Sequence, residues 1–157
     1  MDPAAQNEGQ GSVVRMAVGA AFEGSAGIAE ARAMAREFLA SLQAVHGLPV
    51  SVRAMGMVEL VVSELVTNAR KYAPGPCLLD LEVVDGAVQV SVWDSSSTLP
   101  SVRAPDPGPI GQHGLELVMA VCQTFCVQRE PVGKRIIAAV VLADDAGDAA
   151  GYQALSR

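Results

Sequence analysis

Hydrophobic and polar positions along the chain separate into segments of two distinct periods. Over residues 12–20, SVVRMAVGA, β-branched residues alternate with small or polar ones, which predicts a first strand at a sheet edge. From Ala26 to about Val45 the apolar positions Ile28, Ala31, Ala35, Phe38, Leu39 and Leu42 fall three and four apart. That spacing predicts an amphipathic helix, with Ser25 as N-cap and Gly47 as C-cap. Pro49 and Ser51 open a second helix that reaches Tyr72, where Pro74, Gly75 and Pro76 stop it. CLLDLEVV and AVQVSVWD then alternate with period two around Asp85-Gly86, a strong local signal for a β-hairpin. Residues 95–113 show no period, are rich in Ser, Pro and Gly, and read as a lid. GLELVMAVCQTF predicts a third helix, and CVQRE with IIAAVVL a closing hairpin around Pro131, Val132, Gly133 and Lys134.

Helices before and between paired strands predict an α+β fold: a two-layer sandwich with one mixed, mostly antiparallel sheet and helices on one face. The expected domain spans residues 12–143, between disordered tails at 1–11 and 144–157 that are rich in small and polar residues.

Composition narrows the function classes. Half of the 157 residues are hydrophobic but only 4% aromatic, so the core is aliphatic. A net charge of −6 without any Lys/Arg run argues against direct nucleic-acid contact. The absence of a long apolar run and of a leader-like N-terminus predicts a cytoplasmic protein with no membrane contact. Cys77, Cys122 and Cys126 are odd in number and lack CxxC spacing; with only His46 and His113 beside them, they predict buried thiols rather than disulfides or a zinc site.

The second helix carries the candidate chemistry. Met55, Val58, Val62, Leu65, Ala69 and Tyr72 form its apolar stripe. Glu64, Asn68 and Lys71 lie together roughly 100 to 130° around the helix from that stripe. Taken alone, they read equally well as a solvated face. A carboxylate and an amide one turn apart also suit phosphoryl transfer: Asn68 for an octahedral Mg²⁺ bound through phosphates, Glu64 for deprotonating a hydroxyl.

ELVTNARKYAP, residues 64–74, resembles the N-box of the gyrase, heat-shock chaperone, histidine kinase and MutL ATPase superfamily. VSVWDSSSTLP resembles the segment that ends in the adenine-binding Asp, here Asp94, and GQHGLELV is similar to the glycine motif that closes the lid. Among such ATPases the chain is most similar to stand-alone anti-sigma factor serine kinases, with Val92, Asp94, Ser96 and Pro100 meeting the V-x-D-x-S-x-x-x-P pattern of their actinobacterial branch. The resemblance implies a Bergerat ATP-binding fold with ATP and Mg²⁺ as cofactors. It implies Glu64 as catalytic base, Asn68 as the Mg²⁺ ligand, and Lys71, Asp94, Gly111, His113, Gly114 and Leu115 as nucleotide contacts. It further implies a serine/threonine kinase in transcription regulation that phosphorylates a STAS-domain anti-sigma antagonist, sequesters a sigma factor, or both, with a homodimer possible. The alternative is a catalytically weak or inactive binding module of the same fold.

Six positions depart from the superfamily pattern. Ser95, Ser96 and Ser97 replace glycines after Asp94, Gln112 stands at a lid glycine, and Ile110 replaces a basic residue. In GKRII, Arg135 replaces a hydroxyl that in relatives lies near the adenine; it would either clash there or turn outward.

Overall fold

The computed structural model describes residues 16–22, 26–73, 75–96 and 114–143. The elements in chain order are β1 (Ala17–Phe22), α1 (Ala26–Ala44), α2 (Val52–Tyr72), β2 (Cys77–Val84), β3 (Ala87–Asp94), α3 (Gly114–Val121), β4 (Thr124–Arg129) and β5 (Lys134–Val141). The strands form one sheet in the order β1-β2-β3-β5-β4, with helices covering one face. The expected two-layer α+β architecture is therefore present. Every pairing among the described strands is antiparallel, so the sheet is not mixed.

The alternation of side chains along each strand sorts them between two layers. Cys77, Leu79 and Leu81 of β2, Val88, Val90 and Val92 of β3, and Ile136, Ala138 and Val140 of β5 are all buried in one aliphatic core. Ala31, Ala35, Leu39 and Leu42 of α1 and Val58, Val61, Val62, Leu65 and Val66 of α2 close that core from above. Asp85 and Gly86 both take positive φ, 52° and 77°, as a two-residue type I′ hairpin requires.

The helix boundaries have local causes. Ser51 caps α2, its hydroxyl accepting from the Ala54 N–H at 2.9 Å, while the Ala73 N–H returns to the Ala69 carbonyl at the other end. Arg70 and Lys71 sit in the last turn of α2, where positive charge complements the helix dipole. Gly47 takes φ +66° after α1, and the Leu48 N–H reaches the Leu42 carbonyl at 2.9 Å. The expected cap Ser25, the stop residue Pro74 and the expected tails lie outside the described residues.

Three expected boundaries shift. β1 begins at Ala17 among the described residues and extends to the buried Phe22. α3 ends at Val121 instead of Phe125, because Phe125 is drawn into the sheet opposite Ala138. Lys134, expected in the last turn, is the first residue of β5 and pairs with both Arg129 and Asp94.

Candidate functional site

The α2 patch sits where two layers meet the start of α3. Glu64 and Asn68 are both half-buried, and Lys71 is exposed. Gly114, buried at the first position of α3, lies directly against Glu64: a Cβ at residue 114 would overlap Glu64 Oε1. The glycine thus lets a carboxylate approach the positive end of a helix, where exposed N–H groups and the helix dipole favour negative charge. Leu115, next in the helix, is half-buried and packs on the edge of the core.

Asn68 shows an unmet need. Its Nδ2 is buried and, among the described residues, has no hydrogen-bond partner. A buried orphan donor costs roughly 1–3 kcal/mol. A phosphate oxygen would satisfy it as it stands; with the amide turned over, a hydrated cation would meet its oxygen instead. The orphan amide, one turn along α2 from the carboxylate that rests on Gly114, fits a phosphate-bearing ligand. For magnesium, Asn68 is the residue that would hold the ion, and the ion would supply charge neutralisation between phosphates.

Asp94 ends β3 on the face toward the helices and is only 2% exposed. Its Oδ1 accepts two hydrogen bonds, from the Ser96 N–H at 2.8 Å and from Lys134 Nζ at 2.9 Å. Lys134 is fully buried. The two residues are direct neighbours in the β3–β5 ladder and face the same layer. Gly133, at φ +81°, makes room for this: a Cβ there would overlap the Asp94 backbone carbonyl.

Arg135 is turned away from Asp94 and the helices. Alternation along β5 puts it on the open face of the sheet, where its guanidinium donates to Asp80 Oδ2 at 3.2 Å and to Ser91 Oγ at 3.4 Å. Glu130 lies 3.7 Å away. Of the two outcomes expected for Arg135, the outward one is found.

Lys134 is the residue that sequence reasoning missed. The polar turn hid it, and only the strand's observed parity reveals it: with Ile136, Ala138 and Val140 inward, residue 134 faces inward too. Gly111, His113, Ile110, Gln112 and Ser97 lie outside the described residues. Among the described residues there is no cluster of three metal-ligating side chains.

A helix whose carboxylate rests on the glycine that opens another helix, with an amide one turn further along it, over an antiparallel sheet, is the architecture of a Bergerat-type ATPase domain. The histidine kinase-like ATPase domain family matches residues 25–140, and the chain belongs to that family. The structure of the RsbU and RsbW domains of Rv1364c from Mycobacterium tuberculosis matches with a TM-score of 0.60 at 17% identity, over 80% of this chain and 32% of that one. The histidine kinase domain of the Erythrobacter litoralis EL346 blue-light activated histidine kinase matches with a TM-score of 0.46 at 21% identity, over 72% of this chain and 61% of that one. This chain therefore spans less than two thirds of either structure. No curated protein matches the sequence. Among the described residues no helix is long and apolar enough to cross a membrane.

Proposed function

We propose that the chain is a regulatory ATP-binding protein of the anti-sigma factor type, a serine/threonine protein kinase that phosphorylates a STAS-domain anti-sigma antagonist, sequesters a sigma factor, or both. The observation that carries this reading is the pairing of an orphan buried amide, Asn68 Nδ2, with a carboxylate one turn earlier that rests against Gly114. The fold likeness to a structure containing an RsbW domain supports it.

In this reading Asn68 and the N-terminal turn of α3 hold the phosphates, with Lys71 offsetting their charge, and Asp94 accepts a hydrogen bond from the adenine amino group. A partner's serine hydroxyl attacks the γ-phosphorus. Its proton passes to Glu64, the bond from phosphorus to the bridging oxygen breaks, and ADP leaves. Gly111 and His113 are the further nucleotide contacts that the sequence resemblance implies.

The test is phosphate transfer to a STAS-domain protein with Mg-ATP. Glu64→Gln is expected to lose transfer while keeping nucleotide affinity; normal transfer by that variant would remove Glu64 as base.

A second reading has an observation of its own. Asp94 is buried against Lys134, which suits a binding module whose base pocket is already satisfied from within. Calorimetric titration with Mg-ATP separates the two, since no heat up to millimolar nucleotide would leave only the binding module.

A further inference from the structure

We infer that Lys134 is a positioning residue for the nucleotide base: it holds Oδ1 of Asp94 and thereby turns Oδ2 toward the adenine amino group. The inference rests on the ATP reading above and assigns a role to a residue outside the motifs that led to that reading.

The argument starts from burial. A lysine with no exposed surface is rare, and its ammonium is tolerated only when paired. An apolar pair of similar volume is often as stable as a buried ion pair, so stability alone does not call for this one. What the ion pair adds is orientation. A carboxylate has two chemically equal oxygens and rotates freely unless its donors distinguish them. Here both donors, the Ser96 N–H at 2.8 Å and Lys134 Nζ at 2.9 Å, go to Oδ1. One comes from the loop after β3 and the other from the neighbouring strand, held in register by the Asp94 and Lys134 pairing. Gly133, which admits no side chain against the Asp94 carbonyl, closes the turn tightly enough to bring that lysine in. The carboxylate is thus pinned by one oxygen, which fixes the direction in which the other can accept a hydrogen bond.

Orientation gives a test that a purely structural lysine would not pass. In Asp94→Asn, Lys134 keeps the amide oxygen in the Oδ1 position and forces the amide NH₂ to where Oδ2 was. The variant should then prefer inosine triphosphate, whose 6-oxo group accepts, over ATP, whose 6-amino group donates. Adding Lys134→Met removes one of the two donors that hold the amide oxygen and leaves only the Ser96 N–H, so the preference should weaken. By titration calorimetry on the full chain, Lys134→Met alone should bind Mg-ATP at least about tenfold more weakly than wild type. Should that variant fail to fold, Asp94→Asn/Lys134→Met, which leaves neither a buried carboxylate nor a buried ammonium unpaired, decides the matter: if it keeps a full preference for inosine triphosphate over ATP, the assignment is overturned. Unchanged or tighter ATP binding by a folded Lys134→Met overturns the assignment. So does an Asp94→Asn variant that still prefers ATP. If wild type binds no ATP, the nucleotide reading itself fails and this inference falls with it; if wild type binds and only the lysine variants behave normally, the nucleotide reading stands alone.

Discussion

Glu64 and Gly114 touch across the boundary between α2 and α3, with the carboxylate resting where any side chain on residue 114 would have to go. The contact joins a helix in the middle of the fold to the first residue of α3. Gly114→Ala tests what this contact does. The overlapping atom is the far end of a flexible side chain, so Glu64 can swing aside, and alanine is a better helix former than glycine. Stability is expected to stay within about 1 kcal/mol of wild type. The displaced carboxylate and the added methyl group would crowd the phosphate position, and Mg-ATP affinity is expected to fall about tenfold or more, read by calorimetry. Wild-type affinity in this variant would place the phosphates elsewhere.

Gly133 makes the opposite case, because what it meets is backbone. A Cβ there overlaps the Asp94 carbonyl oxygen and comes within 3.0 Å of Ser95 Cα, at a φ of +81°. Neither atom can give way without moving the end of β3. Gly133→Ala is expected to destabilise by about 3 kcal/mol or more, combining left-handed strain with overpacking. Urea unfolding measures it, and a loss under about 1 kcal/mol would mean that the turn relaxes freely.

The ion pair of Asp94 and Lys134, 2% and 0% exposed, predicts strong coupling. Asp94→Leu leaves an ammonium buried without a counter-charge, and a loss of about 3–5 kcal/mol is expected. Asp94→Leu/Lys134→Met, which removes both charges, should recover most of that loss. A double-mutant cycle in urea gives the coupling. Additive losses would show that the two residues do not depend on each other for burial.

These relationships were unequally legible in the sequence. The hairpin at Asp85-Gly86 and the cap at Ser51 are local, each determined by a few adjacent residues, and both stand where the pattern put them. The order of Glu64, Asn68, Asp94 and Gly114 along the chain pointed to one family, and the contact between Glu64 and Gly114 joins two of those motifs in space. The end of α3 was not legible: Leu115, Val118, Cys122 and Phe125 keep helical spacing, yet strand pairing with Ala138 claims Phe125. Tertiary pairing overrode a local period that both structures satisfied. Lys134 and Arg135 were exchanged in importance for a related reason. The run IIAAVVL is apolar on both faces, so it conceals which of the two preceding cations points inward. Only the register with Asp94 and Trp93 decides that.

The thiols give a prediction that does not depend on any ligand. Burial pushes the Cys122 thiol up from its ordinary value of 9.0 to about 11. Cys77, 1% exposed, is also raised, chiefly by burial and further by the Asp94 carboxylate, against its backbone hydrogen bond and Arg70. Cys126 is exposed on β4. Alkylation of the native protein by iodoacetamide should therefore modify Cys126 first, with Cys77 and Cys122 protected until the chain unfolds. The same shifts make stability depend on pH. Between about 9 and 11 the unfolded chain has lost the Cys122 proton while the folded chain still holds it, so the unfolded state binds fewer protons. Stability is accordingly full below pH 9 and declines as pH rises toward 11. Cys77 adds to the decline with the same sign. Urea midpoints measured across this range should fall more gently in Cys122→Ala than in wild type. An identical slope in the two proteins would mean that the Cys122 thiol ionises as readily in the folded chain as in the unfolded one.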